Sequence, residues 1–253
     1  NTETKEVIRD KDGKEVTSIP EGANEADYTK ENVKVNSDES LTSENYRKVK
    51  EIFDGRLKEL GVNDYKVRLD EKEGNIVVEL EDNLKTDEFL QDLLCKGDFS
   101  ITDAKEGNIL LDKSDLKKAN VLYSNTGSGV RVFLEIAFNK EGEEKLQEIS
   151  KKYVKPSEEV EASDNTNKVT LKIEGTDMMS TYFDEEITNG KLTISLGITQ
   201  NEETLQTYVE QGKFYAMLLN NDEMPVEYTI GISEISKGNL SGTEMEIIIC
   251  VAA

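Results

Sequence analysis

The chain has 253 residues, 53 of them acidic against 31 basic, for a formal net charge of −22 at pH 7, and it contains no His and no Trp. Phosphate backbones need Lys and Arg, so this balance argues against nucleic-acid binding. Without His the commonest general base and the commonest transition-metal ligand are missing, which removes Ser-His-Asp and Cys-His catalysis.

From Asn1 to about residue 42 the chain is polar and reads as extended and partly irregular. Lys11-Asp-Gly-Lys14 is a hairpin signal across which Glu6–Arg9 and Lys14–Thr17 can pair, and one further strand is expected near Val33–Val35. A helix follows from Ser43 to Leu60, with Thr42 or Ser43 as N-cap, Tyr46, Val49, Phe53, Leu57 and Leu60 on one face, and Gly61 at the C-terminal position that favours glycine. Tyr65–Leu69 and Ile76–Leu80 read as strands around a turn at Glu71–Asn75, Thr86–Leu94 as a short helix, and Asp98–Thr102 as a strand.

Ile109–Leu116 reads as an extended segment leading into a short helical turn, and Tyr123–Gly129 as a flexible loop. Arg131–Phe138 is then a strand, Asn139 caps a helix to about Tyr153, and Lys155–Lys168 reads as an exposed, partly mobile insertion. Val169–Ile173 and Leu192–Leu196 alternate as half-buried strands, Glu202–Leu219 is a helix, and Pro225–Ile230 a strand. Lys237–Gly242 is a turn before a last strand at Met245–Val251.

The predicted class is α+β in two subdomains. Residues 1–108 form the first and 109–129 a connection; residues 130–253 form a ferredoxin-like unit with two helices on one face of a four-stranded antiparallel sheet. That sheet is expected to draw on Val132, Leu134, Ile136, Val169, Leu171, Ile173, Leu192, Ile194, Leu196, Val226, Tyr228 and Ile230.

Chemistry-bearing patterns are sparse. Thr126-Gly-Ser-Gly129 lacks both the Lys of a P-loop and the spacing of a dinucleotide fingerprint. The acidic clusters lack the alternating offsets of a calcium loop, and Glu143/Glu144 and Glu202/Glu203 fall in first helical turns, where they complement the macrodipole. No metal, no cofactor and no catalytic residue is expected. Cys95 and Cys250 stand far apart, either bridged or as two thiols. No apolar run approaches the length of a spanning helix, and a chain that begins at Asn1 reads as a region excised from a longer protein.

Several patterns resemble SecD, the accessory subunit of the bacterial Sec protein translocase. Arg56-Leu-Lys-Glu-Leu-Gly-Val62 is similar to the Arg-x-x-x-Leu-Gly-Val that ends a family helix, and Ile76-Val-Val-Glu-Leu80 to the strand ending in Val-Glu-Leu-Pro. Leu111-Asp-Lys-Ser-Asp-Leu-Lys-Lys-Ala119, Glu135-Ile-Ala-Phe-Asn-Lys-Glu-Gly142, Lys168-Val-Thr-Leu-Lys-Ile-Glu-Gly175, Ile187–Ile194 and Met224-Pro-Val226 follow in family order. The likeness runs from about Tyr46 to Gly231. The family's Asp-Leu-x-Gly-Gly signature is absent, as are the Pro after Leu80 and the Pro of the Ser180 loop.

The resemblance implies a domain on the extracytoplasmic face of the bacterial cell membrane, tethered by flanking helices outside this chain. It would bind unfolded preprotein and assist translocation driven by the proton gradient, working with SecF-like and Sec channel subunits. Proton-relay residues of such a system would lie in the membrane. Exposed apolar groups suit client binding, and Met178, Met179, Tyr182 and Phe183 are the candidates. Gly127 and Gly129 are the candidate hinge between subdomains. The alternative is a free-standing cell-surface or lipoprotein module that binds a ligand on the same common fold.

Overall fold

The computed structural model describes residues 4–11, 15–16, 24–81, 86–156, 167–237 and 243–251. The chain divides into two units, one of Asn1–Glu51, Asp64–Thr86 and Pro225–Ala253, the other of Ile52–Asn63 and Asp87–Met224. The helix α1 (Ser43–Glu59) therefore contributes to both.

The first unit carries two antiparallel sheets. β1 (Thr4–Asp10) lies between β2 (Glu15–Val16) and β3 (Tyr28–Lys34), with Ile8 opposite Val16 as the hairpin signal requires. The other sheet runs β13 (Tyr228–Lys237), β14 (Thr243–Val251), β5 (Ile76–Glu81), β4 (Tyr65–Leu69). β5 alternates as its sequence demands: Ile76, Val78 and Leu80 are buried on one face. The Tyr228 hydroxyl donates to the Gly74 carbonyl at 2.9 Å and ties β13 to the β4–β5 turn. α1 ends on Gly61 at φ 76°, whose N–H bonds Lys58 O while Val62 N–H bonds Leu57 O. These are the paired bonds of a Schellman cap, which a left-handed glycine permits.

The second unit holds α2 (Thr86–Leu94), β6 (Phe99–Asp103), β7 (Ile109–Asp112), a 3-10 turn at Lys113–Asp115, β8 (Leu116–Thr126), β9 (Gly129–Phe138) and α3 (Lys140–Lys152). β10 (Val169–Ile173), β11 (Thr176–Thr181), β12 (Lys191–Thr199) and α4 (Glu202–Asn220) complete it. Asn139 and Asn201 cap α3 and α4 by accepting from Gly142 N–H and Thr204 N–H, which satisfies donors that a helix start leaves open. Two antiparallel sheets, ordered β11-β10-β6-β7 and β12-β9-β8, share one core with these helices: Phe99, Ile101 and Leu171 from the first, Leu134, Ile136 and Ile194 from the second, Leu146 and Ile149 from α3, and Met217 and Leu218 from α4.

The α+β class holds, and three finer expectations are corrected. Ile109–Gly129 is no connection but β7, the 3-10 turn and β8, inside the second unit. The strands expected in one four-stranded sheet fall in three sheets. β9 pairs with β12, β10 pairs with β6 and β11, and β13 pairs with β14. The last strand lies between β13 and β5, so Pro225–Ala253 joins the first unit, while residues 87–108 join the second. β14 pairs antiparallel with β13 along one edge and with β5 along the other. Of the insertion expected at Lys155–Lys168, residues 157–166 lie outside the described residues.

Candidate functional site

A cleft of about 340 Å³ opens in the second unit where the β10–β11 hairpin and the start of β12 approach. Its floor is built of core side chains: Ile101, Val169, Leu171 and Ile194 are all nearly inaccessible to solvent, and Leu192 is half-buried. Leu171 stands opposite Ile101 on one side and Met179 on the other, so one sheet face carries all three into the cleft. Met179 and Thr181 form the β11 wall, and the segment from Tyr182 to Ile187 closes one end. β11 and β12 are both edge strands among the described residues.

Three of the four candidate contact residues come together here. Met179 is 36% exposed at the mouth. Tyr182 is half-buried with Lys168 Nζ 5.6 Å over its ring. Phe183 is buried and clamped by its backbone, its N–H donating to Tyr153 O at 2.9 Å and its carbonyl accepting from Lys155 N–H at 3.0 Å. Met178 does not line the cleft; it is the extra residue of a bulge in β11, between Asp177 opposite Lys172 and Met179 opposite Leu171, and it packs against the core.

A relay of polar contacts holds this wall. Tyr153, at the end of α3, donates its hydroxyl to Asp103 Oδ2 at 2.7 Å. Asp103 also accepts from the N–H groups of Lys105 and Glu106. The Tyr153 hydroxyl, with these N–H groups, holds the Asp103 carboxyl below its ordinary range, while burial raises Tyr153. With Tyr153 fixed, Val154 bridges to Phe183 in parallel.

The far end of the hairpin is fixed by Glu174, a non-glycine residue at φ 52°. Its carboxylate accepts from Lys96 N–H and, at 2.6 Å, from Gly97 N–H, while Asp98 accepts from Glu174 N–H and Gly175 N–H. These bonds offset the strain of a left-handed backbone at Glu. Beneath that turn lies Arg56, fully buried, donating to the carbonyls of Leu93, Cys95 and Lys96 at the end of α2. Burial lowers its pKa to about 10 despite Glu174. Lys113 donates to Leu218 O near the end of α4, and burial, with repulsion from Arg56, lowers it to about 8. Both cations sit where helix C-terminal carbonyls lack intrahelical donors. Cys95 is free, its thiol pushed up to about 11 by burial and then by Glu174; the Cys250 side chain lies outside the described residues.

Glu174, Asp103 and Tyr153 escaped the sequence reading, because nothing in their local patterns marks a partner distant in sequence. Arg56 carried a signal of its own, a cation on the apolar stripe of Phe53, Leu57 and Leu60. The expected hinge is also corrected. Gly127 and Gly129 belong to the tip of the β8–β9 hairpin, where Thr126 pairs with Gly129. Gly129 has φ 131°, and a Cβ there would lie 2.4 Å from Thr199 O, so its glycine is required by a close approach within one unit.

Among the described residues no group of three or more His, Cys, Asp or Glu is arranged to hold a metal ion, and no helix is long and apolar enough to cross a membrane. No protein-family model matches the sequence, and no curated protein sequence matches it. Solved structures do. A crystal structure of SecDF in a super-membrane-facing form matches with TM-score 0.56 at 18% identity, covering 77% of this chain and 28% of that one. The chain has a SecDF-like fold. A second SecDF structure, of a membrane component that enhances protein export, matches with TM-score 0.53 at 14% identity, covering 88% of this chain and 96% of that one. The SecDF-like chain thus spans about 28% of the first structure and nearly all of the second.

Proposed function

We propose that this chain is the extracytoplasmic part of a SecD-like protein-export machine and that its cleft holds unfolded preprotein in extended form. The observation that carries this reading is the cleft itself, an apolar floor between two edge strands, with Met179, Tyr182 and Phe183 on its wall. Edge strands present unpaired N–H and C=O groups, and an extended chain can add to them while its alternate side chains enter the floor. Methionine at the mouth suits many clients because its unbranched, polarisable side chain adapts to different shapes. The SecDF-like fold supports the assignment to export, at the outer face of the bacterial cell membrane. In this reading the chain binds and releases rather than catalyses. The proton gradient acts through membrane segments outside this chain, which also join it to SecF-like and Sec channel subunits.

Fluorescence anisotropy with unfolded, apolar-rich peptides tests the proposal. Micromolar binding that weakens at least tenfold in Leu192→Asp is expected, because a charge on the floor has no partner there. Binding unchanged by Leu192→Asp overturns the assignment of the cleft.

A further inference from the structure

We infer that the cleft is selective, favouring extended segments in which an apolar side chain stands next to Lys or Arg. This rests on the reading that the cleft holds polypeptide. Asp184 and Glu185 line its mouth, both exposed, and neither carboxylate makes a hydrogen bond or ion pair with any described residue. Lys191, the cation among the lining residues, is matched by Glu135 at 3.1 Å. Lys168 stands on the Tyr182 ring. Negative charge is therefore left uncompensated beside an apolar floor.

Lys and Arg fit that combination, since each carries a cation on an apolar stem. The stem extends over Met179 and Leu192 while the head reaches the carboxylates. An acidic residue in the same register meets two like charges, which discriminates against it even where the apolar neighbour fits. The chain's net charge of −22 also attracts cations from a distance, so a local preference must be separated from a global one.

The experiment uses the whole chain and three short peptides, identical except that the residue after a central Leu is Lys, Gln or Glu. Affinities in the order Lys, Gln, Glu are expected, with roughly a tenfold gap between Lys and Glu at low salt that narrows at high salt. In D184N/E185Q the gap falls below about twofold while the Gln peptide binds as before. E39Q/E73Q removes two equally exposed charges from the first unit and leaves the gap intact. A gap that survives D184N/E185Q, or closes equally in E39Q/E73Q, overturns local selectivity. So does equal affinity for all three peptides, with the cleft reading intact. If none of the three binds, the cleft reading falls and selectivity falls with it.

Discussion

The two ends of the second unit use polar groups in opposite ways. At the helix-capping end, Arg56, Lys113 and Glu174 find their partners in the backbone: the guanidinium on three carbonyls, the ammonium on Leu218 O, the carboxylate on two N–H groups. At the cleft end, Asp184 and Glu185 are exposed and without partners among the described residues, beside an apolar floor. A buried polar group with fixed partners supports structure, because removing a partner strands another. An exposed carboxylate beside the accessible Met179 side chain is free to meet a ligand. Changes at the first end should alter stability, and changes at the second should alter binding.

The largest effect is expected at Arg56. Arg56→Ala leaves the buried Leu93 carbonyl and the part-buried carbonyls of Cys95 and Lys96 without their donor and opens a cavity, for a loss of about 3–5 kcal/mol in chemical denaturation. A loss below about 1 kcal/mol would mean that water or a shifted α2 replaces the guanidinium.

Lys113 sharpens the contrast through pH. Its folded pKa of about 8 lies below the ordinary lysine value, so between the two the unfolded chain binds more protons. Stability from this group therefore rises as pH climbs through about 8 toward 10, by on the order of 1–2 kcal/mol relative to Lys113→Met, which lacks the titration. Parallel stability curves for the two proteins across that window would break this account.

Tyr153→Phe is a smaller test, at the relay supporting the cleft wall. Loss of its bond to Asp103 should cost about 1 kcal/mol, with faster amide exchange at Phe183 and Lys155 as the more specific sign. Unchanged exchange at those two amides would show that Asp103 does not position the wall.

The smallest stability effect belongs to Met179→Ser, within about 0.5 kcal/mol, since the side chain is already partly exposed. Binding of unfolded peptide should nonetheless weaken by about tenfold, the affinity lost with a thioether side chain no longer buried in the complex. A variant that binds normally removes Met179 from the contact surface.

Local pattern determined much of this molecule. The span of β4 matches its alternation, β5 starts at Ile76 as expected, α1 ends on Gly61, and α3 and α4 start from Asn139 and Asn201, because strand period, helix capping and left-handed glycine act over a few residues. Met179, Tyr182 and Phe183 stood out as apolar residues of a loop, whereas Met179 lies within β11, a strand that no local alternation announced. Tertiary structure alone decided which strands share a sheet. Alternation in Val169–Ile173 and Leu192–Leu196 states that one face is buried and names no neighbour, so β10 took β6 rather than β9, and β14 took β5 across most of the chain. The same holds for Arg56, Glu174 and Asp103, whose partners are fixed only when distant segments meet. Between Tyr123 and Gly129, glycine and polar residues read as a loop, whereas pairing with β9 makes the segment a strand ending in a tight turn. Propensity is a weak local preference, and a full ladder of backbone bonds outweighs it.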